Sequence, residues 1–274
     1  MSLPQMQPQP VLDPEARQFY CHTLGILEEA GIDVLVGGAY AFARYTGIER
    51  HTKDLDVFVK AADFEATLHA LERAGYQTDV PFPHWLGKAY CNDYFVDVIY
   101  GSGNGVAHVD DGWFEHAPSE HVFDLPVRLC PVEEMIWSKA LIQERERFDG
   151  ADVAHLLLAC AETLDWRRLL SRFGPNWRVL LAHLVLFGFI FPGERERIPG
   201  WVMHELIRRL QASLSAPPPS ARLCRGTLLS RQQYLIDVEQ RGYLDARALD
   251  DNPMSDEDIA TWTAAIAEDG SKDT

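Results

Sequence analysis

The segment Asp54-Leu55-Asp56-Val57-Phe58-Val59 is the most restrictive stretch of the 274-residue chain. Side chains along a strand point alternately to opposite faces, so Leu55, Val57 and Val59 form an apolar face while Asp54 and Asp56 form a doubly negative one. The segment is therefore a strand with one buried face and one charged face. Two like charges that close raise each other's pKa or recruit a cation, and paired carboxylates with phosphate oxygens are the ligand set magnesium prefers. Separated from it by fifteen residues, the upstream Gly37-Gly38 supplies a turn whose backbone can approach a phosphate with no β-carbon in the way.

Around this strand the first half reads as mixed helix and strand. A helix over 14–30 ends at Gly31, a strand Val34-Leu35-Val36 runs into Gly37-Gly38, and a helix over 39–45 follows. After the Asp54 strand come a helix over 62–74 closed by Gly75 and strands near 76–80, 85–91 and 94–100. Asn92-Asp93 between the last two reads as a hairpin turn. In Phe95-Val96-Asp97-Val98-Ile99 the aspartate shares a face with Phe95 and Ile99, where it needs a partner or a metal to stay ionised. If this strand lies beside that of Asp54, three carboxylates converge.

From Pro131 the pattern is helical, with segments over 132–144, 147–161, 166–173, 177–189 and 201–214; Pro217-Pro218-Pro219 interrupts it before a last helix over 231–241. The expected fold class is α+β: a mixed β-sheet flanked by helices over 11–130, then an α-helical domain over 131–250. Residues 1–10, rich in Pro and Gln, and the acidic 251–274 read as disordered tails.

The net charge of −16 is uneven, with −11 in residues 1–130 and +2 in residues 131–249. Sequence-blind nucleic-acid binding as the main activity is disfavoured, because phosphate neutralisation needs clustered Lys and Arg; the second half leaves room for a local basic patch. The longest apolar run, 179–190, is broken by His183 and Gly188 and falls short of the roughly 20 residues that span a bilayer. The N-terminus lacks a signal-peptide pattern. A cytoplasmic protein with no membrane association is expected. Five cysteines, at 21, 91, 130, 160 and 224, have no metal-ligand spacing and read as free thiols.

Gly37-Gly38, then Asp54-Leu55-Asp56, then Asp97 on a later strand resembles the signature of the DNA polymerase β-like nucleotidyltransferase superfamily. The string Gly47-Ile48-Glu49-Arg50-His51-Thr52-Lys53-Asp54-Leu55-Asp56 is similar in particular to its small bacterial branch, which includes antibiotic-modifying nucleotidyltransferases and abortive-infection toxins. The resemblance covers about residues 30–160. It implies that Asp54 and Asp56 hold two Mg2+ ions, and that Asp97 shares one of them and accepts the proton of an attacking hydroxyl. It further implies that Gly37, Gly38, Arg50, Thr52 and Lys53 line the nucleotide and that Lys139 meets its triphosphate. Many family members carry Ser where this chain has Gly38.

The implied reaction moves a nucleoside monophosphate from an NTP, ATP among the candidates, to an acceptor hydroxyl with release of pyrophosphate. A small molecule such as an aminoglycoside, a protein side chain and an RNA 3′ end all remain open as acceptors. The toxin branch adds an antitoxin as a conceivable partner. The competing reading is a non-catalytic descendant of the fold that binds a nucleotide or a partner protein.

The remaining candidates have plainer readings. Arg145 and Asp149 read as a helical ion pair, and Asp149 and Asp152 as stabilisers of a helix start. His51, His84, His108, His116 and His121 follow no ligand spacing. Trp137, Trp166, Trp177 and Trp201 read as core anchors, Asp110-Asp111 as a turn, and Gly101-Ser102-Gly103-Asn104-Gly105 as a flexible loop.

Overall fold

Helix α1 (Pro14–Glu29) buries Ala16, Phe19, Tyr20, Thr23, Leu24 and Leu27, a spacing of three and four that makes one continuous stripe. It stops where Gly31 takes a φ of +69° and the Ile32 N–H reaches back to the Leu27 carbonyl at 3.0 Å. The structure, a computed structural model, describes residues 14–50, 52, 54–218, 220–249 and 254–269, the last five by backbone alone. The stretch 1–10, expected to be disordered, lies outside them.

The described chain divides into two units. The first takes the residues up to Pro81 with Gly87–Tyr100 and Val109–Cys130, and the second takes Phe82–Leu86, Gly101–His108 and the residues from Pro131 onward. The five-stranded sheet comprises β1 (Leu35–Val36), β2 (Asp54–Phe58), β3 (Gln77–Phe82), β4 (Leu86–Cys91) and β5 (Tyr94–Ile99), in the order β1-β2-β5-β4-β3. It is mixed: β1 runs antiparallel to β2, while β2 runs parallel to β5 with Asp56 opposite Asp97. Leu55, Val57, Val96 and Val98 are fully buried on the apolar face.

Helix α2 (Gly38–Thr46) connects β1 to β2, and α3 (Phe64–Arg73) packs its Phe64, Leu68 and Leu71 stripe inward. Two features of this unit depart from the sequence expectation. Asp110-Asp111 is not a simple turn: Asp110 precedes a short helix, α4 (Asp111–Glu115), whose Trp113 is buried and anchors it. A hairpin of β6 (Ser119–Val122) and β7 (Leu125–Arg128) also forms, turning through Phe123 and Asp124, both at positive φ. No Gly marked that turn.

The second unit contains α5 (Val132–Ala140), α6 (Gly150–Cys160), α7 (Trp166–Phe173), α8 (Trp177–Ile190) and α9 (Gly200–Ser215). After them come β8 (Leu223–Cys224), α10 (Leu235–Glu239), β9 (Leu244–Asp245) and α11 (Asp256–Asp269), with β8 and β9 paired in parallel. Glu133 and Glu134 of α5 are buried and meet Arg168 and Arg172 of α7, with Arg172 Nε donating to Glu134 at 2.8 Å. By length and composition the stretch Trp166–Ile190 could cross a membrane, a property the shorter apolar run did not reveal. A 3-10 turn at Gly174–Asn176 divides it, and Leu180, His183, Leu184 and Phe187 face inward.

Several expectations for this half are corrected. The acidic 251–274 stretch is not simply a tail: 256–269 is α11, whose Trp262 ring lies 5.0 Å from Phe82 and 5.5 Å from Trp85. The Gly101–Gly105 segment is pinned there, because Trp262 fills the space a β-carbon on Gly103 would need and Asn104 Nδ2 donates to the Leu228 carbonyl at 2.7 Å. Arg145 and Asp149 are not a turn apart on one helix, since α5 ends at Ala140 and α6 begins at Gly150. Asp149 pairs instead with Arg147 and Lys139.

Candidate active site

Alternation along β2 turns Asp54 and Asp56 away from the buried Leu55 and Val57, and the parallel pairing with β5 sets Asp97 directly across from Asp56. Carboxylate oxygens of Asp54, Asp56 and Asp97 consequently all lie within 4.8 Å of one another, each side chain half-buried. Three negative charges that close favour a bound cation over full hydration. The Thr52 hydroxyl donates to Asp54 Oδ1 and fixes one of them.

The glycine turn is built onto this trio. The Gly37 N–H donates to the Asp56 carbonyl at 3.0 Å, and Gly38 starts α2 with a φ of +54°. A β-carbon at Gly38 would stand 1.6 Å from Asp56 Oδ2, so the conformation that forms the site has no room for the serine found in many relatives of the resembled family. Gly37 is equally confined, with Phe58 Cε2 2.3 Å from where its β-carbon would be. The first-turn N–H groups of α2, which a helix cannot satisfy internally, start at this point of contact.

Sequence reading missed three neighbours of the trio. Lys88 of β4 donates to Asp97 Oδ1 at 2.6 Å, and its ammonium also lies 4.4 Å from the centre of the Phe95 ring. Burial raises the Asp97 pKa above its ordinary value; the Lys88 bond and charge act against that rise and the Asp54 charge adds to it. The signal for Lys88 was present, because counting back through a two-residue turn at Asn92-Asp93 puts position 88 opposite 97. Tyr20 of α1 and Tyr40 of α2 are the other two, edge to face at 5.8 Å. Burial first, and then the Asp54 charge, push the Tyr20 pKa up to about 12, and burial followed by the Tyr20 neighbour pushes Tyr40 higher still. Neither buried hydroxyl finds a protein partner at full hydrogen-bond geometry.

Of the other expected nucleotide contacts, Arg50 stacks its guanidinium 4.4 Å from the centre of the Phe42 ring, and Lys53, like His51, lies outside the described residues. Within the second unit Lys139 bridges Asp149 at 2.9 Å and Asp152 at 2.8 Å, with a side chain only 16% exposed. Trp137 and Trp166 are buried, but Trp201 is not a core anchor. It stands 45% exposed, with Arg167 5.5 Å from its ring centre, and these two join His204, Arg208 and Arg209 around an open groove of about 730 Å³.

No protein-family model and no curated protein matches the chain. Solved structures of nucleotidyltransferases do match it. ANT(2'')-Ia in complex with adenylyl-2''-tobramycin is 15% identical, with 60% of this chain and 98% of that chain covered at a TM-score of 0.44. Lincomycin-bound lincosamide antibiotic adenylyltransferase LnuA is 16% identical, with 52% and 95% covered at a TM-score of 0.38. An antigenic nucleotidyltransferase-like protein from Paracoccidioides brasiliensis is 14% identical, with 62% and 91% covered at 0.37. At these scores the likeness carries no argument about chemistry, which has to come from the aspartates and what surrounds them.

Proposed function

We propose that this chain is a divalent-metal-dependent nucleotidyltransferase that moves a nucleoside monophosphate from an NTP to an acceptor hydroxyl, with Asp54, Asp56 and Asp97 as its catalytic and metal-holding groups. The observation that carries the reading is the convergence of three carboxylates within 4.8 Å beside a helix start that begins at Gly38. An all-oxygen, multiply negative donor set fits Mg2+. Asp54, Asp56 and Asp97 would hold the ion, which when bound would supply charge stabilisation at the phosphoryl oxygens and the pyrophosphate leaving group.

The chain's own groups have separable roles. The α2 N-terminus and the Gly37-Gly38 backbone bind the anionic triphosphate, since neither residue has a side chain to keep phosphate at a distance. Thr52 keeps Asp54 in register by its hydroxyl bond. Lys88 takes Asp97 Oδ1, which leaves Oδ2 to accept the proton of the acceptor hydroxyl. Burial raises the pKa of that carboxylate, which strengthens it as a base, and the Lys88 ammonium acts against the rise. As the acceptor oxygen bonds to the α-phosphorus, the bond to the bridging oxygen breaks, pyrophosphate leaves and the proton resides on Asp97.

The test is pyrophosphate release from each NTP, and transfer of α-phosphate label to a panel of small-molecule, protein and RNA acceptors, with and without EDTA. The expected result is label transfer by the wild type that EDTA abolishes and that Asp56→Asn lowers by at least about a hundredfold, the scale on which such electrostatic groups act. Metal-dependent NTP binding with no pyrophosphate from any nucleotide would instead favour a non-catalytic binding protein. Equal NTP and metal binding by wild type and Asp56→Asn would remove both readings of the site.

A further inference from the structure

We infer that the groove lined by α7 and α9 is a binding surface for single-stranded nucleic acid, in which Trp201 stacks a base while Arg167, Arg208 and Arg209 take the flanking phosphates. The inference goes beyond nucleotidyl transfer and does not rest on it, since none of these residues belongs to the carboxylate site. The groove is the local basic patch for which the charge balance of the second half leaves room.

The first support is the spacing of the residues that line it. Arg167 and Leu170 lie three apart on α7, and Trp201, His204, Glu205, Arg208 and Arg209 follow the spacing of one face of α9, so two helical stripes border the same space of about 730 Å³. Stripes of this kind are normally apolar and packed. Here the Trp201 indole stays 45% exposed, with the Arg167 guanidinium 5.5 Å from its ring centre, and only Leu170 is buried. Arg167 forms no ion pair among the described residues.

The second support is charge. Three arginines against one glutamate leave the groove at +2 in a chain whose net charge is −16. The glutamate orients two of those arginines. Glu205 accepts from Arg208 Nε at 2.9 Å and Nη2 at 3.0 Å and from Arg209 Nε at 2.8 Å, and these bonds hold its pKa down to about 2. Arg208 Nη1 and both terminal nitrogens of Arg209 are left without a partner among the described residues, on guanidinium groups already oriented before a ligand arrives. An exposed aromatic face beside guanidinium donors suits a strand, because every base offers a face to stack and every linkage a phosphate. An acidic peptide would satisfy the arginines and leave Trp201 with nothing to stack on. An open groove, unlike an enclosed cavity, also suits a polymer that spreads its contacts over several units.

The test is fluorescence anisotropy of a labelled oligouridylate of about twelve nucleotides, titrated with the full-length chain in EDTA. Wild type is compared with Trp201→Leu, with the double variant Arg167→Gln/Arg208→Gln, and with Arg241→Gln, which removes an exposed, ion-paired arginine outside the groove. Circular dichroism establishes that each variant is folded. Wild type should bind the strand, with an affinity that falls as salt rises. Trp201→Leu should bind at least about fivefold more weakly, and the double variant should reduce the log–log salt slope by about one to two. Arg241→Gln should match wild type, and a duplex of the same length should compete poorly. No binding by wild type at low salt would overturn the inference, as would wild-type affinity in Trp201→Leu. An oligoglutamate that displaces the strand as well as unlabelled oligouridylate does would mark a site for acidic peptides, equal competition by duplex would mark a basic surface without stacking, and equal competition by uridine monophosphate would mark a mononucleotide site; each overturns the inference. All of these results leave nucleotidyl transfer standing, because EDTA silences the carboxylate site in this assay. Should a variant fail to fold, the wild-type competitions decide the matter.

Discussion

Gly38 and Asp56 touch: the space for a β-carbon on the first is 1.6 Å from Oδ2 of the second. Gly38→Ala must therefore displace the carboxylate while also adopting a φ of +54°, where a side chain costs about 1–3 kcal/mol. The expected result is a loss of stability of about that size in urea unfolding, accompanied by weaker Mn2+ binding. Gly25→Ala, on α1 with nothing within 4 Å of its β-carbon, is the matched control and should leave metal binding unchanged. Wild-type stability and affinity in Gly38→Ala would contradict the contact.

Glu134 is buried and accepts from both Arg168 and Arg172, so Glu134→Gln removes a buried charge that two guanidinium groups share, although Arg168 keeps its bridge to Glu133. A destabilisation of about 3–5 kcal/mol is expected, as for other broken buried pairs. Glu120→Gln, which loses an exposed pair with Arg44, should change stability by no more than about 1 kcal/mol. Chemical denaturation of the two variants checks the difference.

Asp149 governs part of the acid limb. Burial acts to raise its pKa, but the Arg147 hydrogen bond and the charges of Lys139 and Arg147 outweigh that and hold it below its ordinary value. A carboxyl with a depressed folded pKa contributes stability above its unfolded value of about 3.9, and that contribution is lost as the pH falls through the folded value. Urea midpoints measured downward from about pH 6 should show the wild type losing stability below about pH 4, with a shallower loss in Asp149→Asn. Identical slopes would rule out this residue as a source.

Trp262 joins Phe82, Trp85 and Gly103 within the second unit, with the Arg231 guanidinium 4.4 Å from its ring centre. Trp262→Ala should cost about 2 kcal/mol, the scale of exposing a large partly buried side chain. It should also raise hydrogen exchange at 101–105. A truly disordered tail would show neither effect.

The period of two along a strand does not depend on which partner the strand finds, which is why the faces of Asp54, Asp56 and Asp97 were legible from sequence. Lys88 was equally accessible by counting across the Asn92-Asp93 turn, but charges were considered along each strand and not across the hairpin. Helix ends were less accessible. The Arg145–Asp149 pair assumed one helical register across a segment where α5 has ended and α6 has not begun. Trp201 shows a different limit: Val202 and Leu206 are fully buried, and it is the neighbouring helices, absent from local sequence, that choose this face of α9 and leave Trp201 outside. In α11 the acidic composition masked the spacing of Ile259 and Trp262, which are among the partly buried positions of that helix.

The register of β2 against β5 makes the distance between Tyr94 and Asp97 a counted length. One residue inserted between them would rotate every later side chain of β5 to the opposite face. With the insertion ahead of Val96, Val96 would then present its isopropyl group where Asp97 had been, and the aspartate would enter the apolar layer opposite Val57. Insertions and deletions within this strand are therefore incompatible with the site even where they leave the sheet itself intact.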